Sequence, residues 1–112
     1  MFERTLLDIV NKHTESHFHR NLLADFYFGR HKAEQAKIHY MLLEKVEDLP
    51  NKQYLYNNLA NLYIEHDLNK ALNYVEKALE IDTLNASFYD TKGWILCLKS
   101  DYQRGLNFLR RS

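Results

Sequence analysis

Six histidines are the side chains of this sequence that could bind a metal ion. His13 and His17 are four residues apart, and His19 follows two residues later. Imidazoles four residues apart share one side of a helix, a spacing that several zinc sites use. The run Thr14–Ser16 between them predicts a helix break, however, and the sequence has neither a cysteine pair nor a His-Glu-x-x-His motif. We therefore predict surface histidines, no metal site and no cofactor.

Nucleophilic and phosphate chemistry has equally little support in the sequence. The single cysteine, Cys97, lies in the apolar run Trp94–Leu98, where we expect a small buried thiol rather than a nucleophile. No Gly-x-Ser-x-Gly motif is present, and the three glycines are scattered rather than clustered in a phosphate-binding loop. We predict that the chain is not an enzyme.

Composition narrows the class of protein further. The 112 residues are 46% hydrophobic and include one proline and three glycines, which argues against disorder and against a turn-rich β fold. Fifteen basic residues balance fifteen acidic ones, so the sequence lacks the basic excess of a nucleic-acid-binding surface. No apolar stretch approaches the length of a bilayer span, so direct membrane insertion is not expected.

Apolar residues recur at helical spacing almost throughout, and alternating period-two patterns are missing. Pro50 marks the end of the third helix. The spacing predicts an all-α fold with seven helices, over residues 2–13, 17–30, 33–47, 52–66, 68–81, 87–100 and 102 to the end.

Hydrogen-bond acceptors that suit helix starts recur with a period of about 34 residues. They precede the second, fourth, fifth, sixth and seventh helices and are Ser16, Asn51, Asp67, Asn85 and Asp101. Small residues recur with the same period and form the pairs Ala24/Ala36, Ala60/Ala71 and Gly93/Gly105. Small side chains allow two antiparallel helices to approach closely, so the sequence predicts one helical hairpin written three times.

The second repeat carries the most complete motif. It reads Tyr56-x-x-Leu59-Ala60-x-x-Tyr63, followed by Ala71-x-x-x-Val75 and Ala78. This pattern resembles the tetratricopeptide repeat (TPR) family, whose repeats are about 34 residues long. More finely, the segments 90–94 and 101–105 are similar to repeats of bacterial multi-repeat proteins linked to exopolysaccharide export and pilus assembly.

The resemblance implies a right-handed superhelical solenoid of antiparallel helix hairpins. Residues 1–112 would form a single repeat domain, with residues 1–15 as a partial hairpin or capping helix. Residues 16–50, 51–84 and 85–112 would be repeats 1, 2 and 3, the last of them incomplete. Both ends of this pattern favour a piece of a larger protein, for which a cytoplasmic and a periplasmic location are both open.

The resemblance also implies a concave face, lined by the first helix of each hairpin, that binds a peptide or partner protein. The residues projected onto it are Phe18, Asn21, Asp25, Phe28, Tyr54, Asn57, Asn61, Glu65, Asp90 and Trp94. Aromatic residues give a large contact area at small entropy cost, and amides can bond a peptide backbone. Two alternatives stay open. The aromatics could instead pack between hairpins, and the chain could be a self-assembly element that pairs through uncovered terminal helices.

Overall fold

The computed structural model describes residues 2–13 and 16–111, with the surroundings of the side chains described up to residue 103. The helices are α1 (Phe2–Lys12), α2 (His17–Gly29), α3 (Ala33–Glu44), α4 (Lys52–Tyr63), α5 (Leu68–Ile81) and α6 (Ala86–Arg111). No strand occurs in these ranges, so the predicted all-α class is confirmed.

The chain forms two compact units, residues 1–52 and 53–112. In the first unit, α2 packs against both α1 and α3. Its core consists of apolar residues from the three helices that are almost or completely buried, namely Leu6, Val10, Leu23, Ala24, Tyr27, Ala36, Tyr40 and Leu43.

In the second unit, α5 packs against α6 and contacts α4 through the ring of Tyr74. Two polar contacts give the direction of α6 along α5: Lys99 Nζ donates to Asn69 Oδ1 at 2.6 Å, and Lys92 lies 3.9 Å from Glu76. Asn69 of α5 contacts the later residue of α6, Lys99, whereas Glu76, further along α5, contacts the earlier one, Lys92. The two helices are therefore antiparallel. Among the described side chains of α6, Phe88 and Ile95 are buried, seven residues or about two turns apart on one side of the helix.

The α2–α3 hairpin has small, fully buried side chains on both helices, Ala24 and Ala36. Three residues after Ala36, His39 stacks on the ring of Tyr27, with centroids 5.9 Å apart. Arg20 Nη1 donates to Nδ1 of the same imidazole at 3.1 Å. The side chain of His39 therefore bridges two positions of α2, one on either side of the alanine.

The α4–α5 hairpin repeats this arrangement with other residue types. Ala60 and Ala71 are fully buried. Tyr74, three residues after Ala71, stacks on Tyr63 at 5.6 Å and on Tyr56 at 6.2 Å. These tyrosines stand at the same distances from Ala60 as Tyr27 and Arg20 do from Ala24. Two hairpins of one chain thus share one contact pattern, each within its own unit.

Two of the predicted helix caps are confirmed by hydrogen bonds. Asp67 accepts from the backbone N–H of Lys70 at 3.1 Å, and Asn85 accepts from that of Phe88 at 3.2 Å. Ser16 occupies the N-cap position of α2, but its side chain makes no capping bond. A polar cap satisfies a backbone donor that the first turn leaves free, which explains the recurrence of these residue types at helix starts.

The predicted break at Asp101 is wrong, because α6 continues through it to Arg111. Neither glycine nor proline occurs between Leu98 and Asp101, so nothing in the backbone forces the helix to end there. Gly93 and Gly105 consequently lie on one helix, about 18 Å apart along its axis at 1.5 Å per residue. They do not face each other in a hairpin; the surroundings of Gly105 lie outside the described residues.

Two other helices end earlier than predicted. α3 ends at Glu44 rather than residue 47, where the backbone N–H of Val46 donates to the carbonyl of Leu43 in a turn. α4 ends at Tyr63 rather than residue 66, where the backbone carbonyl of Tyr63 accepts from both His66 and Asp67.

The two corresponding small residues, Ala60 and Gly93, give a matched test of this fold. A leucine at the fully buried Ala60 overpacks the hairpin, so Ala60→Leu should lower the free energy of unfolding by about 1–3 kcal/mol. The Cβ of a residue at Gly93 would meet no atom within 4 Å among the described residues. Gly93→Leu should therefore be neutral or stabilising by about 0.5–1 kcal/mol, since glycine is a poor helix former.

Thermal denaturation of dilute protein, followed by circular dichroism, measures both effects. A large loss of stability in Gly93→Leu would contradict the open surroundings of this glycine and favour a closed third hairpin.

Candidate functional site

The four predicted binding residues of the first unit form one stripe on α2, which we call the α2 patch: Phe18, Asn21, Asp25 and Phe28. Their spacing of three, four and three residues places them on one side of the helix. Phe18 is 70% exposed, Asp25 is exposed and the other two are half-buried. The four residues therefore lie on one side of α2, and their role in binding stays a prediction.

Two residues of the α2 patch, Asp25 and Phe28, contact Tyr40 in the core of the α2–α3 hairpin. The Tyr40 hydroxyl, on a fully buried ring, donates a hydrogen bond to Asp25 Oδ1. Protein atoms around the carboxylate desolvate it and raise the pKa of Asp25, and the hydrogen bond from Tyr40 offsets part of that rise. Phe28 lies edge-on to the same tyrosine ring at 6.4 Å, so it serves packing as well as the patch.

In the second unit, α4 contributes Tyr54, Asn57 and Asn61. The ring of Tyr54 is half exposed, and its other side lies edge-on to Phe88 of α6 at 5.8 Å. Asn61 Nδ2 donates to the backbone carbonyl of Asn57 at 3.0 Å. The side-chain oxygen of Asn57 is shielded from solvent and has no hydrogen-bond partner among the described residues, an arrangement that costs stability.

α6 contributes Asp90 and Trp94, one helical turn apart and both exposed. Trp94 is 57% exposed, whereas Phe88 and Ile95 of the same helix fill the core toward α5. We call these two residues, together with Tyr54, Asn57 and Asn61 of α4, the α4/α6 patch. The contact between Tyr54 and Phe88 fixes the two helices against each other at their N-terminal ends.

Glu65 is the predicted residue that the structure places elsewhere. It lies in the turn after α4 rather than on the helix, since α4 ends at Tyr63. There it lines a cleft of about 490 Å³ together with His66, Lys99 and Tyr102. Because α4 ends two residues before Glu65, this side chain belongs to the cleft and not to the α4/α6 patch.

The described residues contain neither a metal-binding cluster nor a helix that could span a membrane. Across residues 2–13 and 16–103, histidine, cysteine and acidic side chains form no cluster of three or more that could hold a metal ion. None of the helices, searched over the same part of the chain, is long and apolar enough to cross a membrane. Cys97 is exposed rather than buried as predicted, because the α6 face on which it lies has no neighbouring helix in the described part of the chain.

Sequence reasoning missed a pair of exposed apolar residues on α6. Tyr89 is 52% exposed and Leu96 is 45% exposed, and they stand four residues before and three after Gly93. The signal was present in the repeat itself, because Tyr56 and Tyr63 hold the same places around Ala60 and are covered by α5.

A comparison of the sequence with protein-family models gives no match, and a comparison with curated proteins gives none either. Function therefore has to be inferred from the geometry of the chain itself.

His39 provides a pH-dependent probe of the first hairpin. Desolvation by the surrounding helices lowers the pKa of His39, and the positive charge of Arg20 lowers it further. The folded state thus binds fewer protons than the unfolded state just below the ordinary histidine pKa of 6.5. Stability contributed by neutral His39 is complete above that pH and is lost as the pH falls below it.

We expect the melting temperature to decrease when the pH is lowered from about 7.5 to about 5.5. His39→Gln should make this decrease smaller, because glutamine does not titrate and can still accept a hydrogen bond from Arg20. Thermal denaturation at several pH values measures the slope, with His17→Gln as the control for an exposed histidine. Equal slopes for His39→Gln and the unaltered chain would rule out His39 as the titrating group.

Proposed function

We propose that the chain is a non-catalytic scaffold of TPR-type hairpins that binds a peptide or a segment of a partner protein. The binding surface of the second unit is the α4/α6 patch, and that of the first unit is the α2 patch. The right-handed superhelical solenoid implied by the sequence resemblance is part of this proposal.

The shared contact pattern of the α2–α3 and α4–α5 hairpins supports the repeat assignment. In both, a fully buried alanine on each helix accompanies a ring that bridges two positions of the first helix. The bridging ring belongs to a histidine in one hairpin and to a tyrosine in the other, so the hairpins share the position of the ring and not its residue type. A shared position with different residue types supports a repeated structural unit.

The observation that carries the binding assignment is the exposure of Trp94. A tryptophan side chain has a large apolar surface, so its exposure to water is unfavourable in free energy. The buried core of the second unit does not include Trp94. The sequence left open whether Trp94 packs between helices, and its 57% exposure favours the binding alternative. Tryptophan is also among the residue types that contribute most to protein interfaces.

The charges of the proposed surface favour a basic peptide. The α2 patch carries the acid Asp25 and the α4/α6 patch carries the acid Asp90, and neither patch includes a lysine or an arginine. Asp90 and Trp94 lie one turn apart on α6, so one arginine side chain of a peptide can pair with the carboxylate while its guanidinium lies over the indole ring. The exposed amide of Asn61 is assigned to the same patch and suits a peptide backbone.

The single tryptophan makes this proposal directly testable. Peptides that contain arginine, selected from a random library on the immobilised chain, should shift the emission of Trp94 to shorter wavelength as they cover the ring. Trp94→Ala and Asp90→Asn should each weaken binding of the selected peptides by at least about tenfold, which corresponds to 1.4 kcal/mol. The loss in Asp90→Asn should shrink at high salt.

Tyr102→Ala is the matched control, because Tyr102 is an equally exposed aromatic residue of α6 that lies outside the patch. Binding that is unchanged in Trp94→Ala, or that is lost equally in Tyr102→Ala, would contradict the assignment. Recovery of acidic peptides only would contradict the predicted charge preference.

A further inference from the structure

The face of α6 that carries Tyr89, Gly93 and Leu96 has no covering helix among the described residues. Tyr89 and Leu96 are about half exposed, and the space beside Gly93 is open. The Tyr89 hydroxyl donates to the backbone carbonyl of Thr83 at 3.0 Å, which fixes the orientation of the ring on the surface. We call this surface the Gly93 face.

The chain itself contains two covered versions of the same surface. In the α4–α5 hairpin, Tyr56 and Tyr63 flank Ala60 at the same spacing, and Tyr74 of α5 stacks on both. Lys77 lies 5.6 Å from the ring centre of Tyr56, and Lys70 lies 4.6 Å from that of Tyr63. In the α2–α3 hairpin, His39 of α3 covers the equivalent positions. Each covered face is thus occupied by a helix with a small residue followed three residues later by a ring.

The sequence holds one further segment of that type. Gly105, Phe108 and Leu109 stand 34 residues after Ala71, Tyr74 and Val75 of α5. The basic residues correspond as well, because Arg104 and Arg111 stand 34 residues after Lys70 and Lys77. Residues 101–111 therefore repeat the chemistry of the helix that covers Ala60, including the cations placed beside its tyrosines.

This segment does not cover the Gly93 face of its own chain, since it continues the same helix. The continuous α6 carries Gly105 about 18 Å along the axis from Gly93, at 1.5 Å per residue. One helix, α6, thus carries both the Gly93 face and residues 101–111. The counterparts of these two surfaces in the second repeat, on α4 and α5, pack against each other.

We propose that the Gly93 face binds residues 101–111 of a second copy of this chain. The two contact surfaces are different, so the contact is heterologous, and each added copy leaves a free face at one end and a free segment at the other. Assembly then continues beyond the dimer as the concentration rises. Asp90 and Trp94 lie on the adjoining side of α6, about 60° and 100° around the helix from Gly93, so the two contacts use different side chains.

Two variants separate the face from the segment. Gly93→Arg fills the open space on the face, and Leu109→Asp places a charge at the counterpart of the fully buried Val75. Each variant alone should sediment as a monomer of 13.5 kDa, while the unaltered chain should show a mass that more than doubles between micromolar and millimolar concentration. Circular dichroism on each variant checks that helix content is retained.

Mixing the two variants is the decisive step. The Gly93→Arg chain keeps an intact segment and the Leu109→Asp chain keeps an intact face, so an equimolar mixture should form a dimer and nothing larger. Alkylation of the single cysteine, Cys97, which is exposed beside this face, should slow in the mixture relative to either variant alone. Trp94→Ala should assemble like the unaltered chain, which distinguishes this contact from the proposed peptide site.

A chain that stays monomeric at every concentration, or a mixture of variants that stays monomeric, would overturn the proposal. A monomer in which Cys97 is already protected would show that the chain covers its own face by folding back at residues 100–101, and would overturn it too.

Discussion

The close approach of two helices at a small side chain is the constraint on which the rest of the structure depends. Ala24, Ala36, Ala60 and Ala71 have no exposed surface. With larger residues there, the helices of each hairpin would stand further apart. His39 and Tyr74 would then lose their stacking contacts with the first helix of their hairpin. Aromatic stacking and cation contacts stabilise the hairpins, but only after the alanines have allowed the helices to come together.

Periodicity in the sequence predicted the helix pairs of the first two repeats but not the continuous helix of the third. The small residues and the acceptors Asp67 and Asn85 gave helix pairs and helix starts, because both depend on steric and hydrogen-bonding rules that act within a few residues. Asp101 shows the limit of such rules. Its residue type suits a helix start, but a helix ends only where the backbone is broken or another packing is more favourable, and the residues before Asp101 impose no break.

The candidate site was harder to predict than the hairpins, because exposure depends on neighbours that periodicity does not identify. Phe88 and Trp94 are both aromatic residues of α6, and the positions of neighbouring helices, among them α4 with Tyr54 against Phe88, decide that the first is buried and the second exposed. Likewise, the bond from Tyr40 to Asp25 joins residues 15 apart and requires the hairpin to be closed. Glu65 was misplaced because it lay at a predicted helix end, and the assignment of the other predicted residues to a binding surface stays a prediction.

Nuclear Overhauser contacts between the methyl groups of the alanine pairs test the central claim most directly. Because all four alanines are fully buried, we expect contacts between Ala24 and Ala36 and between Ala60 and Ala71, together with helical chemical shifts that continue through Ser100 and Asp101. The absence of contacts in both pairs would contradict the shared hairpin arrangement. A contact between the α-protons of Gly93 and Gly105 within one molecule would contradict the open third repeat.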